Sequence, residues 1–206
     1  MASALKEALL KRFNRSSKNE WLKQLSDEAL MKSYINGSYH SYELIVKRYK
    51  ERVFKFIYFQ VKQQQQDAED LTQEVFIQLY RKPNNFRVES TFSTYIFAIA
   101  KNIVLNHHRT VSRRIKSADN SITTDIIDEA CMHSNMVNIR QQQAYINAFN
   151  QLNVEDQQII YLADKECFSY LQIGSILDIK TGTVRSRLSA VRAKLTNQLR
   201  GQLNEM

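Results

Sequence analysis

The chain has 206 residues, of which 43% are apolar, and only one proline and four glycines, a scarcity of turn formers that argues for helices joined by short polar loops and against a many-stranded sheet. Two cysteines, Cys131 and Cys167, make no CxxC pair and offer neither a disulfide framework nor metal-ligand spacing, and no run of roughly 18 apolar residues exists to cross a bilayer. A soluble chain in a reducing cytoplasm is expected, with no stable membrane insertion, no metal and no cofactor. The net charge of +8 points to anionic partners, and its placement carries more information than its size.

In chain order, residues 1–21 form a basic lead-in, "MASALKEALLKRF" at its start, that lacks a secretory core and cleavage site. Residues 22–114 are rich in aromatic and aliphatic side chains and are expected to form a helical bundle. "QQQQ" at 63–66 is expected as a loop before the next helix. That helix, "DAEDLTQEVFIQLY" from Asp67 to Tyr80, places Ala68, Leu71, Val75 and Leu79 on one buried stripe. Asp70, Gln73, Glu74 and Ile77 share another side, so that an acidic strip carries an exposed isoleucine. A solvated surface face with acids near the helix N-terminus has the same periodicity; an aliphatic group among acids also suits docking on a basic protein surface.

A loop over about 86–93 leads into a mostly apolar helix interrupted by Lys101, Asn102, His108 and Arg109. With Asn85, Phe86, Phe92 and Tyr95 nearby, this section combines aromatics and cations, a combination that can stack unpaired bases and neutralise the backbone. Most such aromatics serve the core instead. The adjacent histidines diverge by about 100° on a helix and have no Cys/His pair to complete a zinc site. No carboxylate pair, triad or metal cluster with usable spacing occurs, so an enzyme is not expected.

Residues 115–138 are rich in Ser, Thr, Asn and Asp and are expected as a linker. Ser117 to Ile139 has no Lys or Arg but contains Asp119, Asp125, Asp128 and Glu129, an acidic spacer between two basic blocks. From 139 to 206 helical periodicity returns: Tyr145, Phe149 and Leu152 mark one face, and Asn153 can cap the following helix. Ser169 and Gln172 fit a capping box for a short helix with Ile173, Ile176 and Leu177 on its core face. "DIK" at 178–180 makes a tight turn, and Thr181 is placed as the cap of the last helix. The result is a helix-turn-helix.

In that last helix Val184, Leu188, Val191 and Leu195 fall on one inward stripe. Ser186, Ser189, Ala190 and Ala193, all small, lie opposite, with Arg185 and Arg192 on one flank and Arg187 and Lys194 on the other. Small residues let a helix settle into a major groove about 12 Å wide, while flanking cations meet phosphates. Thr181, Thr183, Arg185, Ser186, Arg187, Ser189 and Arg192 are the candidate duplex-DNA contacts, those nearest the helix N-terminus being placed to touch bases.

"DAEDLTQEVF", "TYIFAIAKN...R" and "AFNQLNVEDQQIIYL...FSYLQIGSILDIKTGTVRSRLSAVRAKL" together resemble bacterial RNA polymerase sigma factors, in particular the small extracytoplasmic-function class, over about residues 22–200. The resemblance implies an all-α protein with two small helical domains, sigma regions two and four, joined by a flexible acidic linker. It implies that the strip around Asp70, Gln73, Glu74 and Ile77 docks on core RNA polymerase. It further implies that the section from Asn85 through Arg109 captures unstacked bases of the minus-ten element of promoter DNA, and that the last helix reads the minus-thirty-five element. An inhibitory anti-sigma factor is implied as a partner. Tyr95 stands where the family commonly has tryptophan, Gln172 where glutamate is frequent, Ala190 where many members carry a long side chain, and the turn at 178–180 lacks the usual glycine. A polymerase-independent helix-turn-helix regulator, or a polymerase-binding protein without promoter reading, are the other functions these residues allow.

Overall fold

The computed structural model describes residues 21–87, 90–117 and 136–204. The lead-in through residue 20, Val88 and Glu89 of the loop, and 118–135 of the expected linker lie outside the described residues, so the expectations for them stand untested. Among the described residues there are helices and no strands.

Helix α1, Asp27–Ile35, starts where the Ser26 side chain accepts from the Ala29 N–H, with Asp27 and Glu28 in the first turn complementing the helix dipole. It stops at Asn36 and Gly37, the latter at φ 97°, where only glycine sits without strain. Helix α2, Tyr39–Tyr58, buries Ile45, Tyr49, Val53, Phe56 and Ile57 along one stripe. Lys62 and Gln63 take left-handed conformations and reverse the chain into α3, Gln65–Arg81. Half of the glutamine run thus belongs to the helix rather than to the loop. A 3-10 turn, Pro83–Asn85, precedes α4, Phe92–Ser117. The α4 N-terminus is anchored from outside: the Phe92 N–H donates to Glu28 Oε1 of α1 at 2.9 Å.

The C-terminal half holds α5, Met136–Asn150; α6, Val154–Asp164; α7, Tyr170–Leu177; and α8, Thr181–Asn204. Asn153 caps α6 by accepting from the Asp156 N–H. Ser169 and Gln172 form the reciprocal capping box of α7. The expected cap at Thr181 is displaced by one residue: Thr181 is already helical, and the Lys180 carbonyl accepts from Val184 N–H at 3.0 Å.

The turn between α7 and α8 explains how the missing glycine is tolerated. Asp178 ends α7 in the left-handed region, φ 58° and ψ 48°, a conformation whose cost a short polar side chain reduces. The chain then folds back so closely that a Cβ added at Gly174 would lie 2.8 Å from the Ile179 carbonyl oxygen. The glycine this turn needs is inside the preceding helix.

The two halves share one continuous core. Phe56 and Phe59 of the α2 end pack on Tyr161 of α6 at 5.5 and 5.9 Å between centroids, Phe59 meets Phe149 at 5.9 Å, and Phe97 of α4 meets Phe168 at 5.4 Å. Arg52 Nε and Nη2 donate to Glu166 Oε2 across the same seam, at 2.9 and 2.6 Å. Burial opposes the Arg52 charge, but the Glu166 carboxylate prevails and raises its pKa.

Gly174→Ala is expected to lower folding stability by about 1–3 kcal/mol through that backbone clash, whereas Asp178→Gly should raise it by up to about 1 kcal/mol by relieving left-handed strain. Thermal and urea unfolding followed by circular dichroism measure both, and the opposite sign for either contradicts this account of the turn.

Candidate nucleic-acid interface

The inward stripe of α3 is as expected, with Ala68, Leu71, Val75 and Leu79 buried. Asp70, Gln73 and Glu74 are exposed on the other side, and Ile77 is 46% exposed among them. One turn on, Tyr80 is 51% exposed, its ring 6.5 Å from that of Tyr34 and 5.7 Å from that of Tyr42. The Tyr34 and Tyr42 hydroxyls donate to the Tyr80 and Phe76 carbonyls. Tyr39, 67% exposed, opens α2 beside this group. The acidic strip therefore runs into an exposed aromatic patch that periodicity on α3 alone did not reveal. The i, i+3 spacing of Ile77 and Tyr80 was its only local signal.

Two expected base-stacking residues are corrected. Phe86 is 7% exposed and Phe92 fully buried, 5.6 Å apart and edge to face; Phe92 also meets Tyr49 at 5.1 Å. Stacking a base on either ring would require unpacking the core of the N-terminal half. Tyr95 leans on both from a half-buried position, and burial raises its pKa. Asn85 is exposed at the end of the 3-10 turn, and Asn102 and Arg109 are exposed two turns apart on α4. Asn106 and Arg113 extend this face at i, i+4, i+7 and i+11 into one polar row.

Lys101 and His108 occupy the adjacent, half-buried side of α4. His108 Nε2 donates to the Gln60 carbonyl at 2.9 Å, which in the neutral ring places the proton on Nε2. Burial lowers the His108 pKa, opposed by that hydrogen bond. His108 thus secures the α2–α3 connection to α4 rather than presenting a cation to phosphate.

On α8, Val184, Leu188, Val191 and Leu195 are all buried, and Thr181, Arg185, Ser186, Arg187 and Ser189 are exposed. Thr183 is half-buried, and its carbonyl accepts from the Ser186 hydroxyl at 3.1 Å. Arg192 differs from the expectation. Its guanidinium is bound to Asp164 Oδ1 of α6 at 2.5 Å, and this hydrogen bond raises its pKa. It ties the reading helix to the domain, leaving Arg185 and Arg187 as the exposed flanking cations of the first two turns.

Comparison with known proteins follows this layout. Residues 45–114 match the family described as Sigma-70 region 2, and residues 142–195 match Sigma-70, region 4. The sigma-E factor of Haemophilus influenzae, an ECF RNA polymerase sigma factor, is 29% identical over 184 residues, covering 85% of this chain and 96% of that protein. Its namesake in Escherichia coli K12 is likewise 29% identical, over 85% of this chain and 95% of its own length. Two solved structures share the fold. The sigma factor RpoE of Bartonella quintana, in complex with the anti-sigma factor NepR, has a TM-score of 0.64 at 24% identity, covering 75% of this chain and 94% of that one. CnrH, in complex with the cytosolic domain of CnrY, has a TM-score of 0.62 at 16% identity, with coverages of 85% and 97%.

The His108 geometry sets a pH dependence. A histidine whose folded pKa lies below its unfolded value of about 6.5 binds protons preferentially in the unfolded state, so stability is retained above that value and lost as pH falls through it toward the folded pKa. Urea unfolding from pH 7.5 to 5 should show this loss in the native chain, and His108→Gln should reduce the slope. An identical slope in the variant would remove His108 as its source.

Proposed function

The chain belongs to the sigma-70 family of RNA polymerase initiation factors, in its extracytoplasmic-function class, and on that premise we propose how its surfaces divide the work of initiation. As a member it is a non-enzymatic, promoter-specific factor that binds core RNA polymerase, with no helix among the described residues long and apolar enough to cross a membrane. We place its action in the cytoplasm, where its polymerase works.

Asp70, Gln73, Glu74 and Ile77 are the proposed core-docking residues. Carboxylates supply long-range attraction to a basic surface and Ile77 supplies the apolar contact that water would otherwise cover. Asn85, Tyr95, Lys101, Asn102 and Arg109 are the proposed minus-ten set, with the exposed row on α4 following the backbone and Tyr95 the aromatic nearest the surface. Phe86 and Phe92 support that set from the core. Thr181, Thr183, Arg185, Ser186, Arg187 and Ser189 are the proposed minus-thirty-five set, in which the small serines permit close approach and the arginines reach base edges or phosphates. The observation that carries the reading is the coexistence in one chain of an exposed acidic strip and a capped helix-turn-helix whose outward face is small and basic.

We also propose an inhibitory protein partner. Support comes from the Bartonella factor of the same fold, described as bound to an anti-sigma factor, and from CnrH, bound to a cytosolic domain.

Transcription from a fragmented genomic library, with purified core polymerase and this chain together, should yield discrete start sites absent with either alone. Asp70→Ala with Glu74→Ala should weaken core binding while circular dichroism stays unchanged; undiminished affinity in the double variant would rule out the docking assignment. Arg185→Ala should weaken binding of a recovered minus-thirty-five element by about 1–3 kcal/mol if it contacts a base, and equal affinity and specificity would remove it from the reading face.

A further inference from the structure

We infer that Glu28 is a positioning residue for the capture of minus-ten bases: from α1 it holds the first residue of α4, and with it the far end of the loop that separates Asn85 from Tyr95. The inference rests on the minus-ten assignment just made. A helix of 26 residues such as α4 begins with N–H groups that have no partner inside the helix. Thr91, just before it, serves two of them from within its own segment. Its Oγ1 accepts from the Thr94 N–H at 3.3 Å, and its carbonyl accepts from the Tyr95 N–H at 3.2 Å. The Phe92 N–H is served from elsewhere, by Glu28 Oε1 at 2.9 Å, across 64 residues of chain. A carboxylate in that place makes a charge-assisted hydrogen bond at the positive end of the helix dipole.

The neighbouring acid grips the same residue by its ring. Asp27 accepts from the Tyr49 hydroxyl, and the Tyr49 ring meets that of Phe92 edge to face at 5.1 Å. Adjacent acids at the start of α1 thus fix Phe92 twice, at its amide and through its side chain. Phe92 in turn carries Phe86, 5.6 Å away at the near end of the loop, and Tyr95 leans on both. Helix α1 also packs against the 3-10 turn that ends at Asn85. One helix therefore sets both ends of the loop, although α1 itself offers no residue to the proposed DNA faces. A cap needed for helix stability alone could come from Thr91 and its neighbours. The bond from Glu28 adds a fixed placement of the α4 entry relative to the 3-10 turn. Ends held before bases arrive spare the complex part of the ordering cost of binding, and hold Asn85 and Tyr95 at the spacing that tells a correct base from a wrong one.

The test uses core polymerase loaded with the full chain and fluorescent single-stranded oligonucleotides, one carrying a recovered minus-ten element and others with one base of it changed. The ratio of their affinities measures discrimination, which a smaller folded fraction would not alter. Glu28→Ala, which removes the acceptor, and Glu28→Asp, which keeps the charge but is one methylene too short, should each lower that ratio about fivefold, the scale of one lost hydrogen bond to a charged group. Glu28→Gln, which keeps an acceptor oxygen at the same reach, should restore most of it. Core affinity and binding of a duplex carrying the minus-thirty-five element alone should stay unchanged in all three. Ser26→Ala removes the α1 cap but leaves Glu28, so it should lower thermal stability without changing the ratio. If Glu28→Ala does not fold, Glu28→Asp and Glu28→Gln decide. Native discrimination in Glu28→Asp, no recovery in Glu28→Gln, or an equal loss in Ser26→Ala would each overturn the inference while core-dependent start sites remain. Absence of any core-dependent start site with the native chain would strike the proposed function, and the inference with it.

Discussion

The aromatic seam between the two halves, with the ion pair of Arg52 and Glu166 set beside it, is the contact on which the arrangement of the whole molecule depends. Without it the chain is two small helical units, each with an amphipathic inner face. With it, Phe56, Phe59 and Phe97 of one half and Phe149, Tyr161 and Phe168 of the other complete a single core. Aromatic side chains are effective here because each can bury about 150–250 Å² and edge-to-face packing adds directional preference. The carboxylate supplies what rings alone do not, a penalty for any register that leaves Glu166 buried and unpaired.

Charge placement acts on a different scale. The basic character of α4 and α8 and the acidic strip of α3 lie on separate exposed faces, so attraction to DNA and attraction to a basic protein surface need not compete for the same residues. Several ionic groups are used internally, among them Arg192, a candidate DNA contact in the sequence. Arg48 holds Asp27 at 2.6 Å, Asp27 accepts from the Tyr49 hydroxyl at 2.5 Å, and Arg192 holds Asp164. Each joins elements distant in sequence, which fixes the mutual orientation of helices whose outer faces do the binding.

Local order was well represented in the residues themselves. The stripes Ala68–Leu71–Val75–Leu79 and Val184–Leu188–Val191–Leu195 are buried because a 3.6-residue period places them on one side of a helix whatever the rest of the chain does. The caps at Asn153 and Ser169 were legible because their hydrogen bonds span three residues. The family resemblance added the order of the domains, and the matches to regions 2 and 4 bear it out. The errors share a cause. Phe86 and Phe92 suggested stacking platforms because aromatic residues beside cations suit both a base and a core, and only tertiary packing, Tyr49 on Phe92 and Phe92 on Phe86, decides between them. Glu28 gave no local sign that it caps α4, since its partner is 64 residues away.

Sequence alone therefore determined the helical character of the chain, the caps at Asn153 and Ser169, and which face of α3 and α8 turns outward, because each depends on spacing within a few turns, while the class of protein came from the resemblance of whole motifs. Tertiary structure decided which of the exposed-looking residues are available. It buried Phe86 and Phe92, committed Arg192 to Asp164, extended the acidic strip with Tyr80, and closed one half upon the other. Those outcomes depend on contacts between helices far apart in the chain, where the same side chain can serve core, scaffold or interface, and its surroundings choose.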